Sequence, residues 1–147
     1  MRFLCALLLL SVATAAAAVD LSIERGWVRE APPGSTALAG FMAVTGGSRD
    51  VEIRSASSAD FARVEIHEMT MEGDVMKMRP LESLTVPAGA QLTLAPGGEH
   101  LMLFDPKRPL VAGDRITITF ELSRGKPLEV EFIVGAAAPA ADPPADR

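Results

Sequence analysis

Turn-forming clusters punctuate this chain so often that helices have little room between them. They fall at Ala31-Pro32-Pro33-Gly34, Thr45-Gly46-Gly47-Ser48, Glu72-Gly73-Asp74, Pro87-Ala88-Gly89, Pro96-Gly97-Gly98, Asp105-Pro106, Ala112-Gly113-Asp114 and Arg124-Gly125-Lys126-Pro127. The segments between them alternate apolar and polar residues with period two, most cleanly over Arg115 to Leu122 and Leu128 to Val134, and briefly over Gln91 to Leu94. Short alternating runs with turns about every 8–12 residues predict an all-β fold, an antiparallel β-sandwich. Strands are expected near 21–29, 38–45, 50–55, 62–70, 75–79, 82–86, 90–94, 99–104, 115–122 and 128–134.

One stretch reads two ways. Ser58 to Met69 can be written as an amphipathic helix capped by Asp60. The Val64/Ile66 alternation and the following Glu72-Gly73-Asp74 turn favour a strand. The choice matters, because the helix would set His67 beside Met71 and the strand sets it beside Met78.

The ends frame a single domain. Met1-Arg2, an apolar run from Phe3 to Val12 and the small residues Ala15 to Ala18 describe a secretory signal peptide over 1–18, too short for a membrane span. Cys5 lies too early in the run for a lipoprotein cleavage site and is expected to leave with the leader, so the exported chain has no disulfide and no thiolate. Residues 19–134 then form one domain, and the Ala/Pro/Asp tail over 135–147 is too poor in apolar surface to order itself. Without Arg2 the chain carries 13 basic and 19 acidic side chains, a formal charge of −6. That balance excludes nucleic acid as a partner class, since phosphate binding needs a basic footprint.

Against this background the soft donors stand out. The chain holds two histidines, His67 and His100, and each is accompanied by a methionine, Met78 or Met102. Imidazole with thioether, lacking thiolate and carboxylate, suits monovalent copper. Zinc prefers thiolate, imidazole and carboxylate, and a blue-copper redox centre requires a cysteine thiolate. Both imidazoles must be neutral to bind, so affinity is expected to fall as pH drops through about 6.5.

In the strand reading, a two-residue turn at Glu72-Gly73 pairs Met71 with Asp74, Met69 with Met76 and His67 with Met78. Such partners hold their Cβ atoms about 4.5–5.5 Å apart, close enough to share one ion. His100 and Met102, two residues apart on a strand, also share a face. The opposite faces carry Val64, Ile66, Leu101 and Leu103, so the donors are expected to look away from the core towards an accessible rim.

His67, ten residues, Met78, twenty-one residues, then His100-Leu101-Met102: this spacing resembles the periplasmic copper chaperones of the PCu(A)C type. The flanks Val64-Glu65-Ile66-His67-Glu68-Met69, Met76-Lys77-Met78-Arg79-Pro80 and Lys107-Arg108-Pro109-Leu110, with Gly26-Trp27 and Gly40-Phe41-Met42 upstream, are similar as well. The resemblance covers roughly 22–134. It implies a cupredoxin-like, Ig-like Greek-key sandwich in the periplasm, one Cu(I) on His67, Met78, His100 and Met102, and delivery with a thioredoxin-like Sco partner to the binuclear copper centre of cytochrome c oxidase. Some members carry a Met- and His-rich C-terminal extension. The tail here contains neither residue, so a single-site monomer is expected.

Other readings stay beside this one. The same site can serve copper storage or resistance, or the module can be a structural Ig-like domain in which the soft residues are incidental. An enzyme is not expected, because no nucleophile–base pair, HExxH or phosphate loop occurs. Met42 and Trp27 read as structural. Met69, Met71 and Met76 are divided between core filling, spare soft donors and plain surface.

Overall fold

The computed structural model describes residues 21–138. The expected leader, and the expected tail beyond residue 138, lie outside the described residues. Among the described residues ten strands run in chain order: β1 (Leu21–Arg29), β2 (Ala37–Gly46), β3 (Val51–Ser57), β4 (Phe61–Glu72), β5 (Val75–Leu81), β6 (Leu84–Val86), β7 (Gln91–Leu94), β8 (His100–Pro106), β9 (Arg115–Leu122) and β10 (Leu128–Gly135). The ambiguous stretch is strand β4, with Val64 and Ile66 buried on one face as the alternation requires. Among the described residues no helix is long and apolar enough to cross a membrane.

The strands form one mixed sheet in the order β5-β4-β8-β2-β1-β10-β9-β3-β6, with β7 paired to β2 off this path. A β3–β4 pairing, Ala56 opposite Val64, joins the two flanks into a barrel. The wholly antiparallel arrangement expected from the sequence is corrected at one seam. β1 and β10 run parallel, with Trp27 beside Ile133 and Arg29 beside Gly135. Tight turns force neighbours in sequence to run antiparallel, whereas the first and last strands are joined only through the rest of the domain and escape that constraint.

Inside the barrel sit Val28, Met42, Ile53, Leu101, Leu103, Ile118, Phe120 and Phe132, all buried, with the Phe120 and Phe132 rings 6.3 Å apart. Each large side chain so buried contributes about 1.5–3 kcal/mol before the entropic cost of ordering. Met42 belongs to this core, as the sequence suggested.

Two irregularities shape the outer face. In β1 the register with β2 slips between Glu24 and Trp27, where Arg25 takes φ 53°. This bulge changes which parity faces inward: Leu21 and Ile23 meet the core before it, Val28 after it. Gly26 is required there, since a Cβ at that position would lie 2.8 Å from the Phe132 ring. Trp27 is thereby turned outward, directly opposite Phe41 of β2.

The second irregularity is the length of β4. One edge pairs with β8 through Phe61 to His67. The other edge meets β3 at Val64 and then β5 from Ile66 to Glu72. The β4–β5 hairpin therefore projects past the start of β8 as an edge of the sheet.

Candidate metal centre

The hairpin register differs from the one expected. The turn is Gly73-Asp74, with Glu72 opposite Val75, Met71 opposite Met76, Met69 opposite Met78 and His67 opposite Pro80. Gly73 has φ 65°, the conformation that a II′-type hairpin places at its first central position, whereas the expectation had put the glycine second. The slip moves each partner by two residues. An even slip preserves faces, so Met78 remains on the His67 side, diagonal to it instead of opposite.

The direct partner of His67 on its other side is His100, and Glu65 is opposite Met102. Adjacent rungs on β5, β4 and β8 thus bring His67, Met78, His100 and Met102 onto one face of three neighbouring strands. The imidazole rings are 6.0 Å apart between centroids.

The accessible rim expected for these residues is corrected for the two imidazoles. His67 is 8% exposed and His100 5%, Met102 is half-buried, and Met78 is 48% exposed. The burial comes from aromatic and cationic neighbours on the outer face. The Phe41 ring lies 6.5 Å from His100 and 4.8 Å from Trp27, and the Arg29 guanidinium covers Phe41 at 5.3 Å. On the other flank Phe104 lies 6.2 Å from His67, and Arg63 stacks on Phe104 at 4.3 Å. Sequence reasoning missed this surround. Its signal was the pair of aromatics Phe41, whose ring meets His100, and Phe104, four residues from His100 on the same strand.

Hydrogen bonds fix the tautomer of each ring. His67 Nε2 donates to Glu65 Oε2 at 2.8 Å, and the other carboxylate oxygen is held by Arg63 Nε at 2.6 Å. The bond from His67, aided by Arg63, holds the Glu65 carboxyl below its ordinary range, against a smaller opposing effect of burial. A carboxylate can only accept, so the neutral His67 carries its proton on Nε2 and keeps the Nδ1 lone pair free. That Nδ1 is buried and has no hydrogen-bond partner. His100 Nδ1 donates to the Gly98 carbonyl at 2.9 Å, which leaves the lone pair of its Nε2 free.

A buried acceptor without a partner costs about 1–3 kcal/mol. A soft cation satisfies it at once. The residues present therefore fit a monovalent copper ion, with His67 Nδ1, His100 Nε2 and the Met78 and Met102 thioethers as available donors. Among the described residues no group of three or more His, Cys, Asp or Glu is placed to hold a metal ion. The site is a face, not a cleft. An apolar groove of about 490 Å³ between the 31–36 and 105–111 loops includes none of the four.

A family model and several known proteins match this chain. The family model described as "Putative lipoprotein LpqE-like" matches residues 21–134. A curated relative named "Putative lipoprotein Lxx21020", from Leifsonia xyli subsp. xyli (strain CTCB07), is 35% identical over 71% of this chain and 63% of its own length. The uncharacterized protein RP573 of Rickettsia prowazekii (strain Madrid E) is 30% identical over 54% of this chain and 45% of its own length. The chain thus spans less than two thirds of either relative. Among solved structures, the copper-bound PCuAC domain from PmoF2 superposes with a TM-score of 0.67 at 24% identity, over 82% of this chain and 97% of that domain. The Cu(I) form of DR1885 from Deinococcus radiodurans superposes with a TM-score of 0.58 at 29% identity, over 84% of this chain and 82% of that one. With the family model spanning that much of the chain and PCuAC domains sharing its fold, the protein belongs to the LpqE-like, PCuAC-like family.

Proposed function

We propose that the protein is an exported, non-enzymatic carrier of monovalent copper. It holds one ion on His67, His100, Met78 and Met102 and passes it, with a Sco-like partner, towards the binuclear copper centre of cytochrome c oxidase. The observation that carries this reading is the orphaned, buried Nδ1 of His67, in a ring 6.0 Å from that of a second histidine whose tautomer also leaves a lone pair free. The soft-donor chemistry and the Cu(I)-bound form of DR1885 support copper as the cargo. The lipoprotein names of the family and of the Leifsonia relative support export.

The donor set also explains a carrier in preference to a store. Neutral thioethers need no deprotonation and can be replaced one at a time by incoming ligands. Met78, half in solvent, is the donor that a partner reaches first.

Competition with a colorimetric Cu(I) chelator tests the binding. One tight equivalent is expected, lost on His67→Ala or His100→Ala. A chain that takes no copper from the chelator is a structural module and not a carrier. A deletion strain separates delivery from storage: loss of cytochrome oxidase activity at low copper supports delivery, and copper sensitivity alone supports storage.

A further inference from the structure

The β4–β5 hairpin has two chemically distinct faces. Glu68, Thr70, Glu72, Lys77 and Arg79 occupy one, where the ammonium of Lys77 and the guanidinium of Arg79 both donate to the Glu72 carboxylate. The other face carries Met69 opposite Met78 and Met71 opposite Met76. These four thioethers form two adjacent rungs that continue the His67 row towards the hairpin tip.

None of the four belongs to the hydrophobic core, which disposes of a packing role for them. Met71, Met76 and Met78 are among the exposed large apolar side chains, at 61%, 51% and 48%. Exposing unbranched apolar side chains at a free sheet edge is a liability that proteins ordinarily blunt with charge. Here both faces are exposed; charge is confined to the Glu72 face, which also carries Val75, and the paired residues of the other face are methionines. Directly opposite side chains hold their Cβ atoms about 4.5–5.5 Å apart, so flexible thioethers can close on one ion.

We propose that the Met71–Met76 rung is a transit site for Cu(I), through which the ion reaches and leaves the histidines. The inference rests on the carrier reading. Two thioethers leave a coordination position open for a donor from the copper source or acceptor. As the ion moves outward, its bonds to His67, His100 and Met102 break while Met78 stays bound and a bond to Met69 forms, and bonds to Met71 and Met76 then replace those to Met69 and Met78. The imidazole lone pairs return, copper stays monovalent throughout, and no electron is exchanged.

The test uses the full exported chain with methionine methyl groups and histidine rings labelled for NMR and Ag(I) as a redox-inert stand-in for Cu(I). The first equivalent is expected to shift Met78, Met102 and both histidines. A second, weaker equivalent is expected to shift Met71 and Met76 in fast exchange. The double variant M71L/M76L, nearly volume-conserving, keeps the first equivalent, loses the second, and releases Cu(I) to a chelator several-fold more slowly. If the first equivalent bypasses the histidines, the carrier reading fails and the transit site with it. If the histidines bind but Met71 and Met76 stay unmoved, or the double variant releases copper at the parental rate, the transit site alone is overturned.

Discussion

His67 and His100 are direct partners across the β4–β8 pair, and each has one ring nitrogen tied to a different fixed acceptor, the Glu65 carboxylate and the Gly98 carbonyl. Their other nitrogens are the ones left for a cation. Binding a soft ion removes the cost of the orphaned His67 Nδ1, and ligand at a hundredfold excess over Kd adds about 2.7 kcal/mol by mass action. Thermal unfolding with Cu(I) or Ag(I) should therefore rise by on the order of 10 °C. Zinc at the same concentration should produce a much smaller shift, and an equal one would contradict the soft-donor assignment.

Glu65 acts on the metal through His67. Its carboxylate holds the ring proton on Nε2 and so presents Nδ1. In Glu65→Gln the amide can donate as well as accept, and the tautomer is no longer imposed. Cu(I) affinity should fall about 10–100-fold, as expected when the partner of a ligating histidine is lost. Because Glu65 is only half-buried, the unfolding midpoint of the metal-free protein should barely move. Chelator competition beside a melt distinguishes this from general damage.

The two thioethers closest to the histidines differ in environment, and their substitutions should differ accordingly. Met102 is half-buried between Glu65 and Ala39, while Met78 is exposed on the edge strand. Leucine at either position should cost under about 1.5 kcal/mol of stability, with less at Met78. Both variants should bind Cu(I) more weakly. Parental affinity in both would remove the thioethers from the site.

How much of this was legible in the sequence depends on the range of the interaction. Strands such as Arg115–Leu122 were readable because turn residues and period-two alternation are local signals. The soft donors were readable from spacing, since strand parity keeps them on one face under an even slip of register such as the one found here. The hairpin register was not, because Glu72-Gly73-Asp74 offers two turn placements and only the backbone at Gly73 decides between them. The parallel β1–β10 seam has no local signal, because no turn connects those strands. Burial of the histidines was hidden for the same reason: Trp27 reaches Phe41 only after the Arg25 bulge changes the parity of β1.

Acid should loosen the hairpin before it unfolds the barrel. The bonds from Lys77 and then Arg79 hold the Glu72 carboxyl below its ordinary value of 4.5. A depressed carboxyl contributes stability that is present above the unfolded value and lost as pH falls through the folded one. Amide exchange at the hairpin tip should accelerate as pH drops from 4.5 into that lower range, beyond the intrinsic pH dependence of exchange. Glu72→Gln should show the looser tip already at neutral pH. A tip equally protected in both proteins would mean that the two cations do not brace it.

Trp27 is the only tryptophan in the chain, so its emission reports one place. That place lies two ring contacts from the candidate site: Trp27 packs on Phe41 at 4.8 Å, and Phe41 on His100 at 6.5 Å. A heavy, polarisable ion on His100 Nε2 should quench the indole and shift Phe41 against it. Titration with Ag(I) should therefore change Trp27 fluorescence, saturating at one equivalent, and His100→Ala should abolish the change. Gly26→Ala supplies the structural counterpart. Its Cβ would meet the Phe132 ring at 2.8 Å, which must distort the bulge that turns Trp27 outward. Overpacking of this kind costs about 1–3 kcal/mol, and the variant's emission should already differ from the parent's without metal. If emission in that variant is unchanged while stability falls, the bulge does not set the indole's position, and the route from the Arg25 irregularity to the burial of His100 is wrong.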